Sequence, residues 1–335
     1  MKSFWFPVLL MVIAAGVAMV ELTHAPAEGE AEMRQLAAYR AAEAADSEWI
    51  APSLYLEAEP TGEDRNMVIY GQDLIANTGH YYGPQGSISK SANGMNCQNC
   101  HLDAGTRPWG NNFGAVSAGY PQYRSRSNSI QSLYGRVNDC FERSLNGSAI
   151  DTSSYEMKSI VRYIKWLGNQ VPKGKKPYGT GMAKLALITR AADPAKGRTV
   201  YSNYCENCHG SNGEGVAAAD GKGYTYPPLW GAHSFNDGAG LHRLSNSAAF
   251  IKFNMPFKSS YEKGATLSDE EAWDVASFIN SRTRPVADHS RDYPVIGKKP
   301  FDSPFGPYPD TFSAQQHTFG PYQAIIKANK SSAGN

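Results

Sequence analysis

The sequence has almost no excess of charge of either sign. Its 335 residues include 32 Lys and Arg against 31 Asp and Glu, which gives a formal net charge of +1. A balance this close produces no overall field that would attract nucleic acid or an anionic membrane surface. We therefore expect no nucleic-acid partner, and any preference for a charged ligand must come from a local cluster of side chains.

Long apolar runs are also missing, apart from residues 4–20. That run is shorter than the roughly 20 residues that a spanning helix needs, and it precedes small residues suited to cleavage, Ala25 and Ala27. We predict a signal peptide at residues 1–27. The alternative is an uncleaved membrane anchor, because Pro26 disfavours cleavage directly before it. Both interpretations place the remaining chain outside the cytoplasm, and we expect the periplasm.

Cysteine is scarce, but its placement identifies a class of protein. Four of the five cysteines occur in two Cys-x-x-Cys-His motifs, at residues 97–101 and 205–209. In this motif the thiols form thioethers with haem and the histidine ligates the iron. A Cys₄ zinc site would leave both histidines without a role, and a thioredoxin-like pair needs a βαβ context that the sequence lacks. We predict two covalently bound haem c groups, held by Cys97, Cys100, His101, Cys205, Cys208 and His209.

The two motifs lie in a repeated pattern of helices. Each follows one predicted helix and precedes an amphipathic closing helix, at residues 155–167 and 268–282, whose apolar residues recur at helical spacing. No segment has a convincing strand pattern. We predict a mainly α fold with two cytochrome c-like domains. The full division is a signal peptide (1–27), an N-terminal helical extension (28–66), domain 1 (67–171), a linker (172–190), domain 2 (191–284) and a Pro- and aromatic-rich tail (285–335) that wraps over the domains.

In the second domain, Met255 lies where small cytochromes c place the axial methionine, between the haem motif and the closing helix. A methionine opposite histidine raises the reduction potential of haem iron. Two histidines, His233 and His242, are competing ligands. The remaining alternative is that Met255 only fills the core.

The first domain has no methionine in the matching position, and its candidate ligand is the fifth cysteine, Cys140. The other soft ligands are less suitable, since His80 precedes the motif and Met157 falls inside the closing helix. A thiolate lowers the iron potential relative to methionine, so this assignment predicts two haems of unequal potential. The alternatives for Cys140 are a small buried side chain or an intermolecular disulfide.

Basic residues surround Cys140. Residues 132–145 are predicted to form a helix, on which Arg136, Cys140 and Ser144 share one face at spacing i, i+4, i+8. Three further arginines lie close by in the sequence: Arg124, Arg126 and Arg143. Arginines beside a thiol stabilise the thiolate and bind oxyanions, although pairing with haem propionates is the alternative role.

The stretch Asn-Asp-Cys-Phe-Glu-Arg-Ser-Leu-Asn-Gly at residues 138–147 resembles the dihaem thiosulfate dehydrogenases, which are also tetrathionate reductases. The resemblance extends to residues 97–105, 121–126, 254–256 and 304–308. It implies that the first haem, with axial ligands His101 and Cys140, is the active site. It further implies that Arg126 and Arg136 bind substrate, that Ser144 lies in the pocket, and that the second haem, with His209 and Met255, passes electrons onward.

The resemblance implies a periplasmic enzyme that reversibly oxidises two thiosulfate ions to tetrathionate. Its partners would be those two ions and a small cytochrome c or similar redox carrier, with membrane contact only if the N-terminal segment is uncleaved. The alternative functions are a non-catalytic dihaem electron-transfer cytochrome and a subunit of a sulfur-oxidising complex.

Overall fold

The structure, a computed structural model, describes residues 48–54, 60–257, 259 and 264–332. The predicted signal peptide and most of the predicted N-terminal extension lie outside these residues. The chain from Ala51 onward forms one compact unit. Within the described ranges, no helix is both long enough and apolar enough to cross a membrane.

Helices dominate the fold, as the sequence predicts. In chain order the α-helices are α1 (Gly62–Ala76), α2 (Thr78–Tyr82), α3 (Leu102–Gly105), α4 (Val116–Gly119), α5 (Leu133–Arg143), α6 (Tyr155–Leu167), α7 (Pro194–Tyr204), α8 (Glu206–His209), α9 (Leu244–Asn254), α10 (Asp269–Asn280), α11 (Ala314–Phe319) and α12 (Gln323–Ser332). Short 3₁₀ helices span Cys97–Asn99, Gly240–His242 and Ile296–Lys298.

Two antiparallel pairs of short strands accompany the helices. They are β1 (Gln122–Arg124) with β2 (Ser129–Gln131), and β3 (Val216–Ala217) with β4 (Tyr224–Tyr226). The sequence did not predict them, because two or three residues are too few to show the alternation typical of a strand.

Helices α6 and α10 are the two closing helices predicted from apolar spacing. Helix α6 begins after Ser154, whose hydroxyl accepts a hydrogen bond from the backbone N–H of Met157 at 3.1 Å. Helix α10 begins after Ser268, which forms the predicted capping box with Glu271. Such caps satisfy backbone donors at a helix start, so local sequence fixes where both helices begin.

The two domains share one helix crossing. In the first, α1 meets α6 at Gly71, where an added Cβ would lie 2.1 Å from the carbonyl oxygen of Ser159. In the second, α7 meets α10 at Gly197, where a Cβ would lie 2.0 Å from the carbonyl oxygen of Asp274. Only glycine permits backbones to approach this closely. The same feature at matching positions shows that the domains are structural repeats.

The C-terminal tail contacts both domains. The backbone N–H of Tyr293 donates to the carbonyl of Arg126 in the first domain at 2.8 Å. The carboxylate of Asp302 pairs with the guanidinium of Arg243 in the second domain. Further along, Tyr322 is buried in the core of the second domain. These contacts hold the tail against both domains.

Candidate active site

The first haem motif and Cys140 line one cavity of about 1090 Å³. Its lining residues include Cys97, Cys100 and His101 of the motif, together with side chains of helix α5 and the residue after it. Those side chains are Arg136, Cys140 and Ser144, the three residues that the sequence placed on one helical face. The structure thus brings together the first haem motif, the unassigned cysteine, one of the two predicted substrate-binding arginines and the predicted pocket serine.

His101 is oriented by a single backbone contact. Its Nδ1 lies 2.6 Å from the carbonyl oxygen of Asn111, and its ring stacks on Phe113 with centroids 4.5 Å apart. Burial lowers the pKa of the imidazole to about 4, so the ring is neutral at pH 7. A neutral ring that donates from Nδ1 to a carbonyl keeps the lone pair on Nε2, which is the arrangement that a metal-ligating histidine needs.

The second haem motif lines a separate cavity of about 330 Å³, with Met255 in its wall. His209 repeats the geometry of the first domain, since its Nδ1 lies 2.9 Å from the carbonyl oxygen of Pro227 and burial lowers its pKa. Among the described residues that line this cavity, neither His233 nor His242 occurs. His242 instead has its Nδ1 directed at the carbonyl oxygen of Asp237, at 2.8 Å.

The residues of both cavities fit a covalently attached haem. Each cavity has mainly apolar walls, two thiols placed beside each other by the motif, and an imidazole with Nε2 available for iron. Sulfur side chains from outside the motif also line each cavity, Met95, Cys140 and Met182 in the first and Met95 and Met255 in the second. This donor set matches what haem c requires of a protein.

The two cavities share a wall. Met95, Asn96 and Cys100 line both of them, and Leu102 and Asp103, which follow the first motif, line the second. One layer of residues therefore separates the two haem sites. Asn96 is fixed within that layer, because its side-chain oxygen accepts from the N–H of Gly79 at 2.7 Å.

Helix α5 controls the position of Cys140. The helix begins after Ser132, whose hydroxyl accepts a hydrogen bond from the backbone N–H of Gly135 at 3.2 Å, and its Phe141 side chain is fully buried. Arg136 lies one turn before Cys140 on this helix. The Cys140 sulfur raises the pKa of the Arg136 guanidinium more than burial lowers it. The side chains of Arg136 and Cys140 therefore interact electrostatically, as their spacing on the helix predicts.

The arginines near Cys140 divide into two groups. Arg124 and Arg136 line the first cavity. Arg126 and Arg143 instead meet on one carboxylate, that of Asp292 in the tail, at 2.8 and 2.9 Å. The predicted role of Arg126 in substrate binding stays a prediction, and its partner Asp292 was not predicted from the sequence.

The linker also contributes to the first cavity. Lys176 and Tyr178, which the sequence assigned to an interdomain connection, are among its lining residues. A stretch rich in lysine and glycine carries no signal that separates a connection from a cavity wall. The position of these two side chains in the cavity wall was therefore not predicted from the sequence.

Comparisons with known proteins support both domains. A family model described as "Cytochrome c" matches residues 194–283, and one described as "SoxA/TsdA, cytochrome c domain" matches residues 87–172. Together with a solved structure described below, these matches confirm the predicted mainly helical fold with two cytochrome c domains and two covalently bound c-type haems.

Several relatives resemble most of the chain. The thiosulfate dehydrogenase of Stutzerimonas stutzeri is 37% identical over 230 residues, which cover 69% of this chain and 70% of the relative. That of Allochromatium vinosum is 40% identical over 231 residues, covering 68% and 82%. The solved thiosulfate dehydrogenase (TsdBA) from Marichromatium purpuratum matches 73% of this chain with a TM-score of 0.65 and 33% identity. This chain spans about half of that longer protein, 51%.

Proposed function

This chain belongs to the family of dihaem thiosulfate dehydrogenases, and we therefore propose that it reversibly oxidises two thiosulfate ions to tetrathionate. The observation that carries the proposal is the position of Cys140. Its side chain lines the same cavity as the first haem motif, next to Arg136 and Ser144. A cysteine that only filled the core would have no need of an arginine neighbour or of a cavity.

We propose which residues would hold each haem iron from the same lining residues. His101 and Cys140 would hold the first haem iron, and His209 and Met255 the second, because each pair lines one cavity. Each haem accepts one electron, so the pair has the capacity for the two electrons that one turnover releases. The thiolate of Cys140 and the thioether of Met255 would give the first haem the lower potential.

Positive side chains offset the repulsion between substrates. Thiosulfate is a dianion, and two must approach each other for a sulfur–sulfur bond to form. Arg124, Arg136 and Lys176 line the cavity and supply positive charge where the anions would meet. We propose that Arg126 assists them and that Ser144 donates a hydrogen bond to a sulfonate oxygen.

Cys140 would carry the covalent step. Its thiolate would bond to the outer sulfur of one thiosulfate to give Cys–S–S–SO₃⁻, and the haems, when bound, would take up the two electrons that this oxidation releases. The outer sulfur of a second thiosulfate then attacks the bound outer sulfur of the first, and the bond to Cys140 breaks. Tetrathionate leaves and the Cys140 thiolate is restored, so the charge balances at each step. The reverse sequence reduces tetrathionate.

The remaining parts of the proposal concern the setting of the reaction. We propose that the protein works in the periplasm, as the apolar N-terminal run predicts. Electrons would leave from the second haem to a small cytochrome c or a similar carrier. The non-catalytic alternative leaves the arginines around Cys140 only the haem propionates to bind and gives no chemical role to a cysteine that lines the cavity, so we do not favour it.

The test uses the purified protein with both haems in place. With thiosulfate and an electron acceptor, we expect two thiosulfate ions to disappear for each tetrathionate formed and two electrons to reach the acceptor. With tetrathionate and a reduced dye, the reverse stoichiometry is expected. A protein that contains both haems but reduces no acceptor in the presence of thiosulfate would refute the proposed function.

A further inference from the structure

A carboxylate of the C-terminal tail holds two arginines of the first domain. The side chain of Asp292 is only 4% exposed. Its Oδ2 accepts from Arg126 Nη1 at 2.8 Å and from Arg143 Nη1 at 3.1 Å, and its Oδ1 accepts from Arg143 Nη2 at 2.9 Å. His289 Nδ1 lies 3.0 Å from the same Oδ2. Asp292 thus joins side chains that come from two separate segments of the first domain.

The two arginines need a shared anion in this position. Burial lowers the pKa of the Arg126 guanidinium, and the positive charge of Arg143 lowers it further. Two like charges in a partly buried place repel each other, and a bidentate carboxylate between them offsets that repulsion. Asp292 therefore permits Arg126 and Arg143 to stay close together and charged.

The tail backbone is fixed where it meets Arg126. The N–H of Tyr293 donates to the carbonyl oxygen of Arg126 at 2.8 Å, and the guanidinium carbon of Arg126 lies 5.3 Å from the centre of the Tyr293 ring. Tyr293 has φ of 57°, a left-handed conformation that is uncommon for a residue other than glycine. Such conformations persist when the surroundings determine them, so these contacts hold residues 292 and 293 in one arrangement.

Both arginines adjoin residues of the first cavity. Arg126 follows the lining residue Arg124 by two positions, and Arg143 directly precedes the lining residue Ser144. Arg143 donates two hydrogen bonds to Asp292 and Arg126 donates one, so most of the five N–H groups of Arg126 are not used by Asp292. The position of the Arg126 guanidinium relative to the cavity thus depends on Asp292.

We propose that Asp292 is a positioning residue of the active site, which holds the Arg126 guanidinium in the orientation that binds thiosulfate. This inference rests on the proposed function. It makes the C-terminal tail part of the substrate site, although the tail lies outside both cytochrome c domains. The competing explanation is that Asp292 only fastens the tail to the first domain.

The test measures steady-state kinetics of the protein with both haems. Asp292→Asn keeps the shape of the side chain and removes its charge, so we expect the KM for thiosulfate to rise about tenfold while kcat changes less than about twofold. If Asp292 acts through Arg126, the same substitution in an Arg126→Ala background adds almost nothing to KM. Asp292→Glu keeps the charge but displaces it, and a rise of about threefold is expected.

A matched control exists in the same tail. Asp302 is a buried carboxylate that pairs with Arg243, and neither residue lines the first cavity in the described structure. Asp302→Asn should lower the temperature of unfolding and leave the KM for thiosulfate unchanged. This variant shows how loss of one contact between the tail and a domain affects stability and KM when the first cavity is untouched.

Three outcomes would overturn the proposal. One is an unchanged KM in Asp292→Asn, and another is a KM effect of the same size with and without Arg126. If Asp292→Asn does not yield a protein with both haems, an unchanged KM in Asp292→Glu serves the same purpose. Failure of the proposed function itself would appear differently, as an unsubstituted protein that does not oxidise thiosulfate.

Discussion

The two cytochrome c domains share one scaffold but differ in the side chains that line their cavities. Both have a glycine crossing of two helices, at Gly71 and at Gly197, and both direct the Nδ1 of the motif histidine at a backbone carbonyl. In the first domain the cavity with that histidine is also lined by Cys140, on a helix, and in the second by Met255, at the end of one.

The cavities also differ in size and in charge. The first is about 1090 Å³ and the second about 330 Å³. Four basic side chains are among the residues that line the first: Arg124, Arg136, Lys176 and Lys184. Among the described lining residues of the second, the charged one is acidic, Asp103. Anionic substrates need room and positive charge, whereas electron transfer needs neither, so these differences support the proposal that thiosulfate reacts in the first domain.

The largest effect on turnover is expected from replacing Cys140 of the first domain with methionine, the residue type that Met255 provides in the second. Cys140→Met keeps a sulfur that can ligate iron but cannot form a covalent adduct with thiosulfate. We expect a folded protein with both haems, a raised potential at the first haem and almost no turnover of thiosulfate or tetrathionate. Potentials come from a spectroelectrochemical titration and rates from assays in both directions.

A companion variant separates ligation from covalent chemistry. Cys140→Gly should also be inactive, but through loss of the ligand, so its first-haem potential and spectrum should differ from those of Cys140→Met. If Cys140→Met keeps more than about a tenth of the normal rate, a loss below about 1.4 kcal/mol in the barrier, then Cys140 is not the nucleophile.

A smaller effect on turnover is expected from removing one positive charge from the first cavity. Arg136→Ala removes a guanidinium that interacts with the Cys140 sulfur and lines the first cavity. We expect kcat/KM for thiosulfate to fall about ten- to a hundredfold, since a hydrogen bond to a charged group contributes about 1.5–3 kcal/mol. Both haems should keep their covalent attachment on a denaturing gel.

Arg198→Ala is the control for this substitution. Arg198 is an exposed arginine on α7 of the second domain, so its loss changes the net charge equally without touching the first cavity. Its kinetics should match those of the unsubstituted protein. Equal kinetics in Arg136→Ala would instead make Arg136 a partner of the haem propionates.

Local sequence was sufficient for the parts of the site that lie on one element. The closing helices follow from apolar spacing and serine caps, and the i, i+4, i+8 spacing correctly grouped Arg136 and Cys140 of α5 with Ser144, the residue that follows it. The contact between Asp292 and Arg126 could not be predicted from local sequence, because the two residues lie 166 positions apart. No periodic pattern encodes which distant segment supplies a carboxylate, so contacts of this kind become visible only in the folded structure.

The smallest effect on turnover is expected from changing the second domain alone. Met255 lines the second cavity and not the first, so Met255→Gly should lower the potential of the second haem and leave that of the first unchanged. Thiosulfate oxidation should slow only a few-fold, because the residues that bind substrate are intact. Met157→Leu is the control, since Met157 is fully buried in α6 and a swap of similar volume is well tolerated. If the titration shows both potentials unchanged in Met255→Gly, the sixth ligand must be sought at His233 or His242. If the first haem responds instead, the two domains do not divide ligation and chemistry as their cavities indicate.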